Sequence, residues 1–284
     1  MTQTINERFA MKKTTLLTGA VAAGVVFGLS VSRLAAYTMV WETNKFDSDL
    51  GNWTLQFNNF ANGNNVDWQN SANAGGTAGE LGGRFADAVQ TAYVARPLDF
   101  TVNLNDPLWF RGIVTITNTE QFSVDSGQDL NVWIGYFNTS DPVNNRMGWR
   151  TLTPSSTDPA APFRGRARVN NGANATGAIP MTQGVSYAFE ARWQPNGDGL
   201  TGTFSGFIGS TSWNIANYSA SNAGSYDAFG IFWSESAATP GLNYYIYFDN
   251  LEYLVPVPEP SVCGLGLLGV GALAASRALR RRRI

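Results

Sequence analysis

Between residues 185 and 193 apolar and polar side chains alternate. Val185, Tyr187, Phe189, Ala191 and Trp193 fall on one phase, and Ser186, Ala188, Glu190 and Arg192 on the other. A period of two puts one face on a core and the other toward water, so the stretch predicts a half-buried β-strand. Pro195-Asn196-Gly197-Asp198-Gly199 follows. Asn and Gly accept positive φ, so the chain turns there and residues 200–208 supply the return strand. Residues 109–117 and 131–137 are β-branched and aromatic, with Asp125-Ser126-Gly127-Gln128 as turn material before the second. Residues 228–234 and 244–253 complete the clear set, and helical periodicity is almost absent. Ten or more short strands joined by Gly-, Asn- and Pro-rich segments predict an all-β fold, an antiparallel β-sandwich or jelly roll. Residues 60–87 and 138–174 read as long connections, the second with prolines at 142, 154, 159 and 162. Such loops either carry binding function or are tolerant exposed surface.

The two ends have a different character. Lys12 and Lys13 precede an apolar run over residues 16–31, and the small Ala36 closes it. Residues 1–36 therefore read as a secretory signal peptide, with Ser30 as an alternative exit, Met11 as an alternative start and a retained N-terminal anchor as the alternative reading. At the other end stands Val257-Pro258-Glu259-Pro260, then an apolar run over residues 261–275, then Arg280-Arg281-Arg282-Arg283. Counted to Leu279 with Arg277 snorkelling, the run just reaches the ~20 residues a bilayer core requires. The arginines hold that end on the cytoplasmic side, which leaves the body on the far side.

This three-part tail, residues 256–284, resembles the PEP-CTERM sorting signal of Gram-negative bacteria. The resemblance implies an exosortase-type processing enzyme as partner, which reads Pro258, Glu259 and Pro260. It also implies a precursor anchored in the inner membrane and then a body at the cell surface or in the extracellular matrix. An ordinary C-terminal anchor with a proline-rich stem is the alternative.

Residues 37–255 form the body, with no linker or internal repeat, and read as one β-sandwich domain. They hold 10 basic and 19 acidic residues, a net charge near −9. Such a surface repels nucleic acid and anionic lipid and favours neutral sugars or divalent cations. The single cysteine, Cys263, lies in the tail, so the body is held by core packing, with no disulfide.

Phe46-Asp47 with Gly51-Asn52-Trp53 near the start, and Tyr247-Phe248-Asp249-Asn250-Leu251-Glu252-Tyr253 at the end, resemble the opening and closing segments of concanavalin A-like and carbohydrate-binding-module jelly rolls. Residues 187–193 and Ala228-Phe229-Gly230-Ile231 are similar to inner strands of the same group. The resemblance implies a structural calcium ion shared by Asp47 and Asp249, with Asp67 or Asn250 as helpers. The group more often has Glu where Asp47 stands, and a terminal Asp-Asn pair also closes a turn. No cofactor is otherwise required.

Catalysis is bounded by what is missing. Without histidine, Ser-His-Asp and Cys-His nucleophiles and the usual zinc sites are excluded. No Gly-x-Ser-x-Gly elbow occurs. A glycosidase needs two carboxyls across a cleft, and the Glu-x-Asp-x-(x)-Glu strand of concanavalin A-like hydrolases is absent. Glu190 shares a strand face with Arg192, which keeps it ionised and unsuited as a general acid.

Binding has better material, with nine Trp and ten Tyr. Sugars offer an apolar C–H face and a ring of hydroxyls, which aromatic rings flanked by polar groups recognise. Trp149 beside Arg146 and Arg150, Trp68 beside Asp67, and Trp213 beside Asn214 are the glycan-binding candidates; Trp109, Trp193 and Trp233 read as core. The reading is an exported, non-catalytic, glycan-associated surface or matrix protein. Its alternatives are a structural surface protein without sugar ligand and a concanavalin A-like glycoside hydrolase.

Overall fold

The computed structural model describes residues 37–56, 65–85, 92–119, 131–152, 163–170, 175–234 and 244–258. The signal-peptide expectation and the tail beyond Pro258 lie outside them, as do Glu259 and Pro260.

Fifteen strands build two antiparallel sheets among the described residues. The first holds β1 (Tyr37–Asn44), β3 (Asp67–Gln69), β4 (Glu80–Phe85), β6 (Leu108–Thr119), β11 (Ser186–Pro195), β12 (Thr201–Ile208), β13 (Thr211–Ser219) and β15 (Tyr244–Pro258), in the order β13-β12-β11-β6-β15-β4-β3 with β1 also on β15. The second holds β2 (Thr54–Gln56), β5 (Ala92–Val102), β7 (Asn131–Phe137), β8 (Arg146–Leu152), β9 (Phe163–Val169), β10 (Ile179–Met181) and β14 (Tyr226–Ser234), in the order β10-β9-β8-β7-β14-β5-β2. The all-β antiparallel sandwich follows from the sequence pattern.

The expected 195–199 turn is present. Gly197 and Gly199 take φ of 94° and 75°, and Asp198 Oδ1 accepts the Leu200 and Thr201 N–H groups at 2.8 and 2.6 Å. Residues 138–174, expected as one long connection, instead contain β8 and β9. Residues 60–87 likewise contain β3 and β4. The last strand also overruns its expected end at Tyr253 and reaches Pro258. Beyond Tyr253 it pairs with β1 alone, and proline is tolerated where one strand edge has no partner.

Between the sheets lies an aromatic core. Phe229 stacks on Tyr253 with centroids 4.0 Å apart and meets Trp53, Phe110 and Tyr136 at 5.2 to 6.0 Å. The Tyr136 hydroxyl, fully buried on the second sheet, ties it to the first: it donates to the Leu254 carbonyl at 2.8 Å and accepts the Leu254 N–H at 3.0 Å.

Candidate functional site

Strand alternation decides what each residue of β8 can do. Met147, Trp149 and Thr151 point inward, and Arg146, Gly148 and Arg150 outward. Trp149 is 1% exposed and stacks on Phe189 at 5.5 Å. The ring expected as a sugar platform is therefore core, because neighbours along a strand face opposite ways. Trp68 is half-buried, with its Nε1 donating to the Phe46 carbonyl at 2.6 Å. Trp213 is half-buried against Phe204, in space left by Gly206. The three tryptophans do not come together. Trp109, expected in the core, lies instead on the outer face of the eight-stranded sheet, 4.7 Å from Trp41 and under Arg192 at 4.6 Å.

The two candidate arginines do belong together, on the outer face of the seven-stranded sheet. There Trp133, Phe137, Ala95, Ala228 and Phe232 form a second buried cluster, separate from the sandwich core, with Tyr93 at its side. Arg146 stacks over Trp133 at 4.1 Å, with Arg150 at 5.4 Å. Phe137 and Phe232 meet at 4.8 Å.

A row of glycines makes these contacts possible. Gly230, Gly135 and Gly148 stand directly opposite one another on β14, β7 and β8. The Arg146–Trp133 and Phe137–Phe232 contacts both cross this row diagonally, over backbone with no Cβ. Gly135 takes φ of 151°, and a Cβ there would strike the Met147 carbonyl.

Beyond β8 the positive face continues onto β9. Arg166 lies directly opposite Arg150, and Arg168 opposite Gly148. Like charges placed opposite each other across a ladder are destabilising. Burial first, then Arg168 and Arg150, push the Arg146 guanidinium down from its ordinary value to about 9, against the pull of Asp141. Arg146 is 6% exposed, and its Nε and that of Arg166 have no hydrogen-bond partner among the described residues. The net charge of the body conceals this. This face is positive within a body whose summed charge is negative.

The other flank of the face mixes apolar groups, Ala95, Pro97, Leu98 and Ala228, with polar ones and one acid. An open recess of about 320 Å³ is bordered by Thr54, Tyr93, Thr139 and Asp227. The Tyr93 hydroxyl donates to Gln56 at 2.6 Å, and Asp227 accepts the N–H and hydroxyl of Thr139 at 2.8 and 2.9 Å. Burial and then Asp227 raise the Tyr93 phenol.

The acids named for calcium meet at the far sheet. Glu80 is buried and anchors the 71–79 loop, accepting from Ser71, Asn73 and Ala74 at 2.5 to 3.0 Å. That loop wraps Asp249. A Cβ on Gly75 would lie 2.7 Å from Asp249 Oδ2, and one on Gly79 would lie 3.0 Å from the Asp47 Cα. Asp249 is 1% exposed, and burial first, then the Glu80 and Asp47 charges, raise its carboxyl above the ordinary range. Among the described residues, no group of three acids is arranged around one point. The donors are two carboxylates and nearby carbonyls, oxygen chemistry suited to a hard cation.

At its end β15 sets Pro256 opposite Met39 and Pro258 opposite Tyr37, so the sandwich leads directly into the tail. Residues 256–283 match the PEP-CTERM protein-sorting motif. The chain carries a PEP-CTERM sorting signal. That signal marks an exported protein whose tail is a membrane-anchoring segment and a substrate of an exosortase. Among curated proteins none matches the sequence. Among solved structures, peanut lectin is similar at 10% identity over 79% of this chain and 100% of the lectin, with a TM-score of 0.45. A family 7 alginate lyase, A1-II′, in complex with substrate, is similar at 10% identity over 74% and 95%, TM-score 0.45. The lectin UEA-II complexed with galactose follows at 9% over 76% and 98%, TM-score 0.43. These are likenesses of fold alone.

Proposed function

We propose that this PEP-CTERM protein is a non-catalytic glycan-associated component of the cell surface or extracellular matrix. The seven-stranded sheet holds the glycan on its outer face. The observation that carries the reading is the cross-strand arrangement of Tyr93, Arg150 and Arg166 around a buried aromatic bed. A rigid bed locks the side chains that a sugar meets, and threonine, glutamine and tyrosine groups beside it match sugar hydroxyls. Native gels containing polysaccharide test it: the protein is retarded, and the bound polymer is recovered at its original length. Migration unaffected by any polysaccharide removes the binding reading, and shortened polymer removes the non-catalytic one.

A structural calcium at Asp47 and Asp249 belongs to the same proposal. The ion would supply positive charge where buried and neighbouring carboxylates now oppose one another. Because the folded chain holds the Asp249 proton more tightly than the unfolded chain, this group's contribution is full below the ordinary carboxylate value. It is lost as pH rises through the raised one. Without calcium, Asp249→Asn is therefore expected to melt at or above the parent at neutral pH. With calcium the parent is expected to gain several degrees and the variant none. Equal melting of the parent in calcium and in chelator would remove the ion from the account.

A further inference from the structure

We infer that the polysaccharide held on this face is an acidic one, its anionic groups seated on Arg150, Arg166 and Arg168 with Arg146 behind them. The inference rests on the glycan reading and goes further, to the chemical class of the polymer.

Three observations carry it. Ten basic residues stand against 19 acidic ones between residues 37 and 255, yet five of the ten, Arg146, Arg150, Arg164, Arg166 and Arg168, fall on two adjacent strands. Chance scatter on an acidic body would not gather half the positive charge there. Next, Arg150 and Arg166 face each other directly, and Arg146 is buried among them without an ion pair among the described residues. Arg150 and Arg166 are like charges set directly opposite each other, and an arriving anion offsets their mutual repulsion. Last, every cation is arginine, whose planar fork binds a carboxylate or sulfate through two parallel hydrogen bonds.

The rest of the face selects a glycan among polyanions. The hydroxyl, amide and phenol groups of Thr54, Thr139, Gln56 and Tyr93 lie on the same face as the arginines. A polymer bearing both anionic groups and hydroxyls uses both flanks.

The test measures affinity of the full-length chain for a polyuronate (alginate oligosaccharides), a sulfated glycan (dextran sulfate), neutral dextran and duplex DNA, at low and raised salt. The expected result is binding of the polyuronate or the sulfated glycan, weakening with salt, and little binding of dextran or DNA. The tighter of the two anionic probes identifies carboxylate or sulfate as the anionic group. Arg150→Gln with Arg166→Gln is expected to weaken binding by about tenfold or more, the loss of one well-made charged contact. Lys45→Gln with Arg192→Gln removes the same charge elsewhere and leaves affinity within about twofold, the scale of a screened distant charge. The first pair relieves a like-charge contact and is expected to melt no lower than the parent. If it does melt lower, Arg150→Lys with Arg166→Lys keeps the charge, loses the fork and is expected to bind more weakly. Binding of dextran as tight as of the anionic probes overturns this inference and leaves the glycan reading standing. DNA bound more tightly than any glycan, or equal losses in both Gln pairs, also overturns it. Binding of no polysaccharide overturns both.

Discussion

Gly135→Ala is expected to destabilise the protein by about 3 kcal/mol or more and to disorder the arginine face with it. Two costs coincide at this position. The φ of 151° is one that an L side chain rarely adopts, which alone costs about 1–3 kcal/mol. The added Cβ would also collide with the Met147 carbonyl on β8, and backbone in a paired strand cannot swing away. Overpacking of that kind adds about 1–3 kcal/mol. Because Gly135 lies beneath the Arg146–Trp133 and Phe137–Phe232 contacts, the change should also shift the Trp133 environment. Denaturant unfolding followed by tryptophan fluorescence checks both. A variant with the parent midpoint would show that the glycine row is not a packing requirement.

Phe229→Ala is expected to cost about 3–5 kcal/mol, the range for emptying an aromatic site in a core. Phe229 is fully buried and touches aromatic rings from both sheets, Tyr253 and Phe110 on one, Tyr136 on its own, with Trp53 beside them. None of those large rings can collapse into the gap without leaving its other neighbours. For a domain of this size the loss corresponds to roughly 6–20 °C in Tm. A shift of a degree or two would mean that the aromatic cluster repacks freely and is not what joins the sheets.

Particular strands show how far the sequence carries this account. The strand β11 was legible because apolar residues alternate with polar ones, β6 and β7 because they are rich in β-branched and aromatic residues, and β12 as the return from the 195–199 turn. β9 also alternates, but with Gly165 and Ala167 facing inward and Arg166 and Arg168 facing outward. Small inward residues gave it little apolar weight. The structure supplies the reason: a Cβ on Gly165 would lie 2.5 Å from Trp149 Nε1, so the large ring on β8 requires a small neighbour.

The site was half legible for a related reason. Arg146 and Arg150 were recognised, but they were grouped with Trp149 because it stands between them in sequence. In a strand, that adjacency places it on the opposite face. Their aromatic partner is Trp133, which only the pairing of β7 with β8 brings opposite Arg150. The recurrence Arg164-x-Arg166-x-Arg168 was the available signal for the missing half, since two-residue spacing sets all three positions on one strand face. Summed charge obscured it, because a net value near −9 does not reveal where its positive minority sits. The acids are the converse case: Asp47 and Asp249 do converge, but the role of Glu80 in shaping the 71–79 loop has no local pattern.

The most direct test of the account is arginine labelling with phenylglyoxal, read by mass spectrometry, on the protein with and without a saturating bound polysaccharide. The account predicts that the polysaccharide shields Arg150, Arg166 and Arg168, while Arg111 and Arg192 on the outer face of the other sheet label as before. Shielding of Arg111 and Arg192 with β8 and β9 unchanged would place the glycan beside Trp41 and Trp109 and contradict it.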